Sequence, residues 1–133
     1  MENLLKTLKF EEGFSGEPYN DSLGKPTIGY GTLLPLTQRE SEVLLEIRLK
    51  KKIKDIKSKI PFWNSLSVIQ QDGLVLMSYQ LGVGGVLNFK KMLKAVKECN
   101  SNKIYVEAMD SRWAKQTPSR ARRVAKMLSS TEC

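Results

Sequence analysis

At 133 residues the chain has room for one substantial hydrophobic core and not for two independent ones. Its 41% hydrophobic content excludes an intrinsically disordered chain, and its longest uncharged run, Gly73 to Phe89, holds Ser78, Gln80, Asn88 and internal glycines, which excludes a bilayer span. A net charge of +8 predicts an anionic partner, whether nucleic acid, an acidic membrane face or an anionic cell-wall polymer, without choosing among them.

The N-terminus, MENLLKTLKFEEG, carries acidic residues and has no apolar stretch ending in small residues, so it does not read as a signal peptide. The expectation is synthesis in the cytoplasm, with action elsewhere only after release. Leu4, Leu5 and Leu8 fall at helical spacing and the segment closes at Gly13, a plausible C-cap. Glu12 stands four residues after Leu8 and seven after Leu5, so it is expected on the same inward face. Burial and the negative end of the helix dipole would both disfavour its ionised form there, as a general acid requires.

From Phe14 to Thr32 the chain is punctuated by Gly16, Pro18, Gly24, Pro26, Gly29 and Gly31, which predicts a small β-hairpin or three-strand ribbon. The turn Asn20-Asp21-Ser22-Leu23-Gly24 would put Asp21 where the chain reverses, and Thr27-Ile28-Gly29-Tyr30-Gly31 would return, leaving Thr27 near Asp21. Thr37 followed by Glu40 forms a capping box, and Leu45, Leu49, Ile53, Ile56 and Ile60 mark one apolar stripe of a long helix, about 33 Å at the standard rise. Its many Lys and Arg residues read as a solvated face.

The rest reads as helical throughout. Ser67 and Gln70 cap a segment running to Gly82; further helices are expected over Val86 to about Cys99, about Lys103 to Lys115, and Ser119 to Leu128, with Pro118 suited to a helix start. Two cysteines, Cys99 and Cys133, are too few for a disulfide scaffold, and free thiols are the expectation. The architecture predicted is α+β and predominantly helical: one domain over 1–133, with a small β lobe at about 13–36, a connecting helix at about 38–60, and a helical lobe at about 61–133 joined by the helix 1–12.

Glu12 and Asp21 form a pair of carboxylates nine apart, but Glu2 with Glu11, Glu46 with Asp55 and Glu98 with Glu107 share that spacing. Spacing alone therefore carries nothing. What distinguishes the pair is its setting: one acid at a helix end, the other on a glycine-bounded turn with Thr27 close behind. Within EEGFSGEPYNDSLGKPTIGYGTLL the order Glu12, Asp21, Thr27 resembles the catalytic signature of the phage-type lysozymes, the endolysin muramidases of glycoside hydrolase family 24. The segment DSRWAKQTPSRARRV, Asp110 to Val124, and Met77-Ser78-Tyr79-Gln80-Leu81-Gly82 resemble two further stretches of that family. Two departures stand out. Thr32 replaces the His that many members carry, and the connection from hairpin to long helix is only a few residues.

The resemblance implies a two-lobed lysozyme-like fold and hydrolysis of the β-1,4 bond between N-acetylmuramic acid and N-acetylglucosamine in peptidoglycan. In that reading Glu12 is the general acid and Asp21 the general base, or a carboxylate that steers water and stabilises oxocarbenium-like charge. Thr27 holds the water, which suits an inverting mechanism better than a retaining one, and inversion is also what the family implies. The bland alternatives are a helix-end carboxylate, an Asx-turn residue and a strand Thr.

Leu33 and Tyr79 match positions lining the family's saccharide cleft, where an aromatic face can stack on a sugar; Gln80 is a further polar contact. The resemblance sets Arg120 against Glu12 at the substrate site, and Arg123 against Glu11 as a structural pair. Trp113 is expected to pack in the C-terminal lobe. No cofactor or metal is implied. A monomer is expected, with no stable membrane insertion and no specific nucleic acid, and with release to the wall dependent on a holin or on cell damage. The rival readings are a lytic transglycosylase on the same fold, against which Asp21 and Thr27 argue, and a basic nucleic-acid-binding module, which leaves the hairpin unexplained and has no recognised motif.

Overall fold

Residues 1–130 are described by a computed structural model. The elements run α1 (Glu2–Glu12), β1 (Ser15–Asn20), β2 (Pro26–Gly29), β3 (Thr32–Leu33), α2 (Gln38–Lys59), a 3-10 turn at Trp63–Ser65, α3 (Val68–Leu87), α4 (Lys90–Lys97), α5 (Ser101–Met109), α6 (Arg112–Gln116) and α7 (Pro118–Ser129). This is the predominantly helical α+β chain expected. It divides into two compact units, Met1–Leu45 and Glu46–Cys133, and α2 runs continuously through the boundary. The sequence grouped the helix 1–12 with the helical lobe; by its contacts α1 falls in the same unit as the β ribbon.

In the first unit, α1 ends where Gly13 turns to φ 67° and its N–H donates to the Lys9 carbonyl at 3.0 Å. Glycine takes that left-handed backbone without the Cβ clash that penalises other residues. The three strands form an antiparallel sheet in the order β1-β2-β3. Tyr19 is in register with Thr27 and Asn20 with Pro26 across β1 and β2; Thr27 faces Leu33 and Ile28 faces Thr32 across β2 and β3. The central strand thus carries Thr27, at 2% exposure.

The apolar face expected under Glu12 is not there. No residue of α1 is buried, and Leu4, Leu5 and Leu8 are 60%, 48% and 46% exposed. Helical spacing says which side chains share a face, but burial also needs apolar surface opposite, and a three-strand ribbon this small supplies little.

The second unit holds the core. Ile56, Leu74, Met77, Val86, Met92, Val96, Ile104 and Leu128 are buried in one cluster, with α3 and α5 packed against α7. Ser67 and Gln70 form the expected capping box on α3, and the buried Gln70 amide also donates to the Leu128 carbonyl at 3.0 Å. At Gly73 a Cβ would lie 3.0 Å from Leu128 Cδ2, so the missing side chain is what lets the two helices approach. Trp113 is 4% exposed and meets Phe89 edge-on, as expected of a packing residue.

Several sequence expectations shift. The stripe on α2 is buried at Ile56 and at Ile60 just beyond the helix, and Leu49 packs partly buried against the core, whereas Leu45 and Ile53 are 47% and 38% exposed. The break at Gly82 is present, with φ 78° and ψ 159°, but helical turns resume at once, and α4 starts at Lys90 instead of Val86. The helix expected over 103–115 is two helices. Ser111 adopts an extended backbone and its Oγ accepts the Ala114 N–H at 3.1 Å, so a side-chain cap restarts the helix where periodicity read through.

The free-thiol expectation fails at Cys99, which is disulfide-bonded; Cys133 lies outside the described residues. A cysteine count sets a prior and not a distance, and the bond depends on where the backbone carries the sulfurs.

Candidate active site

Asp21 opens the turn between β1 and β2, and its carboxylate builds that turn. Oδ1 accepts the Leu23 N–H at 2.9 Å and the Lys25 N–H at 2.8 Å, while the Asp21 backbone N–H donates to the Lys25 carbonyl at 2.9 Å. The Asx-turn reading is therefore correct as structure, and it has a chemical consequence. With Oδ1 committed to two backbone donors, the carboxylate is held in one orientation, and among the described residues Oδ2 has no hydrogen-bond partner.

Thr27 is tied to the same carbonyl. Its Oγ1 donates to the Lys25 carbonyl at 2.9 Å, so this oxygen accepts from both the Asp21 backbone and the Thr27 hydroxyl. A hydroxyl has one proton to donate and two lone pairs. The proton is spent on Lys25, so toward any further group Thr27 can act only as an acceptor.

Glu12 ends α1 and is exposed, and its side chain reaches to the turn between β2 and β3. A Cβ built on Gly31 would sit 2.5 Å from Glu12 Oε2. The last turn of α1 is further tied to that turn by Lys9, whose ammonium lies 5.7 Å from the Tyr30 ring centroid, and Tyr30 in turn meets Phe14, centroid to centroid, at 5.4 Å. Leu33 is 51% exposed on β3, in register with Thr27. The first unit therefore brings Glu12, Asp21, Thr27 and Leu33 onto one helix end and one ribbon.

The remaining predicted residues lie in the second unit. Tyr79 is 42% exposed and lines a cavity of about 620 Å³ with Arg48, Lys51, Lys52 and Asp55. Gln80 has both ends of its amide engaged: Oε1 accepts the Trp113 indole N–H at 2.8 Å and Nε2 donates to Thr117 Oγ1 at 3.3 Å. It has a structural task that its place in the motif did not announce. Arg120 is half-buried and Arg123 exposed on α7. Glu11 is exposed on α1 in the first unit. A second cavity, about 400 Å³ and lined in part by Phe89, Met92, Glu107 and Ser111, contains none of the predicted residues.

Sequence reasoning missed the Lys25 peptide, because a backbone group leaves no mark in residue identity, and it passed over Gly31 as one turn glycine among several. The basic surround of Tyr79 was visible as charge on a helix, but helical spacing could not say that Tyr79 of another helix faces it.

The family model described as phage lysozyme matches residues 9–129. The chain is 31% identical to the pre-baseplate central spike protein Gp5 of Enterobacteria phage T4 over 95% of its own length, and spans 27% of that protein. It is 29% identical to probable T4-type lysozyme 1 and 28% identical to probable T4-type lysozyme 2 of Dictyostelium discoideum, covering 90% and 91% of those two chains.

Proposed function

The chain belongs to the phage lysozyme family and is a glycoside hydrolase of the lysozyme type, and on that premise we propose how its site cuts peptidoglycan. Glu12 protonates the glycosidic oxygen between N-acetylmuramic acid and N-acetylglucosamine as the bond breaks. Asp21 and Thr27 hold the attacking water, Asp21 taking its proton through Oδ2. Thr27, whose own proton is committed to Lys25, accepts the water's second hydrogen. Both hydrogens are then directed at the protein and a lone pair is left for the anomeric carbon, which is the arrangement an inverting displacement needs. The oxocarbenium-like charge that develops falls beside the Asp21 carboxylate. The observation that carries this reading is the Lys25 backbone, whose N–H donates to the Asp21 carboxylate and whose carbonyl accepts the Thr27 hydroxyl, tying the base and the water holder to one residue.

Leu33 and Tyr79 are proposed to contact the saccharide, and Arg120 to face Glu12. Gln80 is the weaker substrate contact, since both ends of its amide already have partners. Glu11 and Arg123 are proposed as a structural pair. The net charge of +8 supports attraction to a wall polymer with anionic stems. Action as a monomer, and release to the wall through a holin or through cell damage, belong to the same proposal.

Turbidity clearing of purified cell walls by wild type and Glu12→Gln tests the assignment. A loss of about 10² to 10⁴ in rate is expected for a missing general acid, and clearing at the wild-type rate would refute it. The anomer first released decides the stereochemistry: inversion is expected, and retention would remove the direct-water role of Thr27. Anhydro-muropeptides among the products would favour the transglycosylase instead.

A further inference from the structure

Gly29 and Gly31 flank Tyr30, and both hold left-handed backbone, with φ of 70° and 71°. Residues with a Cβ adopt that range of φ at a steric cost, so both positions favour glycine. Their surroundings are not. A Cβ on Gly29 would meet nothing within 4 Å, whereas one on Gly31 would lie 2.5 Å from Glu12 Oε2, 2.8 Å from Cδ and 3.1 Å from Cγ. The Glu12 carboxyl occupies the volume that any other side chain at 31 would claim.

We propose that Gly31 is a positioning residue for Glu12, the absent Cβ being the seat that sets where the proton donor stands. This rests on the assignment of Glu12 as general acid and adds the backbone position that places it. The surrounding geometry agrees. α1 ends at Glu12, Gly13 turns the chain into β1, Ser15 of β1 is in register with Gly29, and Lys9 lies over Tyr30. The last turn of α1 is thereby laid along the turn between β2 and β3, and Gly31 is the point where the carboxyl reaches it. A Glu carboxyl rides on three rotatable bonds, so a methyl at 31 displaces the acid and leaves the backbone where it is. The fold then loses only what left-handed strain costs, while the donor leaves its line to the glycosidic oxygen. A misplacement of about 1 Å at a reacting group costs on the order of a hundredfold in rate.

Gly29→Ala and Gly31→Ala form a pair for the test, since both put a Cβ at positive φ and only one meets Glu12. A fall in melting temperature is expected for both, and rates are compared at equal folded fraction. On soluble peptidoglycan oligosaccharides, kcat of Gly31→Ala should fall about a hundredfold with KM nearly unchanged, because the lost interaction is made in the transition state. Gly29→Ala should stay within about threefold of wild type in both constants. Equal kcat for the two variants at equal folded fraction overturns the proposal. Should Gly31→Ala not fold, Gly29→Asn and Gly31→Asn repeat the comparison, because Asn tolerates left-handed backbone and brings the same Cβ. Glu12→Gln is measured alongside. If it is fully active, the assignment of Glu12 fails and the proposal with it; if it is inactive while the glycine variants match, the proposal about Gly31 alone is refuted.

Discussion

Thr27 has a structural role on the page and a proposed chemical one, and the two can be separated. Its hydroxyl is buried in the central strand and donates to a carbonyl that the Asp21 N–H also reaches. Removing the hydroxyl does not orphan that carbonyl, so Thr27→Val should cost no more than about 1 kcal/mol in stability. It deletes the proposed acceptor for the attacking water, and the clearing rate should fall about a hundredfold, the scale for losing one positioned polar group at the reacting centre. Thr27→Ser keeps the oxygen and should recover most of the rate. Clearing assays and thermal melts on both variants check this; a fast Thr27→Val would assign Thr27 to the strand alone. The candidate residues were legible as letters in an order. That Asp21 and Thr27 are both held by the Lys25 backbone was not legible, because backbone groups are common to every sequence.

Helix starts were the most readable elements. At the start of α2, Glu40 N–H donates to Thr37 Oγ1 at 3.1 Å and Thr37 N–H to Glu40 Oε1 at 2.9 Å. The backbone hydrogen bond from Thr37, and then the one involving its side chain, hold the Glu40 carboxyl below its ordinary value. A carboxylate lowered in the folded state stabilises the fold above its unfolded pKa, and that stabilisation is lost as pH falls through the lower folded value. The melting-temperature gap between wild type and Glu40→Gln should therefore be present at neutral pH and close on acidification; a gap independent of pH would break the link to ionisation. Capping boxes are legible because donor and acceptor sit three residues apart. The split between α5 and α6 was not, since its apolar residues continue at helical spacing and only the Ser111 side chain bonding to Ala114 betrays the restart.

At the scale of the whole chain, the apolar core is concentrated in the second unit and centred on α7. Leu128 is fully buried there, beside the Gly73 approach and next to the Gln70 hydrogen bond to its own carbonyl. Leu128→Ala should cost about 2–5 kcal/mol through lost burial and the cavity left behind, measured by chemical denaturation. A cost under about 1 kcal/mol would mean that the site collapses freely. The proposed Glu11–Arg123 pair predicts that Arg123→Ala lowers the melting temperature while leaving the response to Glu12→Gln unchanged. An unaltered melting temperature refutes the pairing. As exposed residues, the two should contribute about 1 kcal/mol or less, and less at high salt.

From residue order alone came the α+β class, the glycine-punctuated ribbon, both capping boxes, the break at Gly82 and the proposal of Glu12, Asp21 and Thr27 as the site, because each depends on neighbours within a few positions or on a motif read as letters. Only the folded chain decided that α1 has no buried face, that Cys99 is disulfide-bonded, that Gln80 is held by Trp113 and Thr117, and that the Glu12 carboxyl fills the space left by Gly31. These are questions of what lies opposite a side chain. Periodicity orients a residue, but the surface it meets is supplied by distant parts of the chain, and only packing brings the two together.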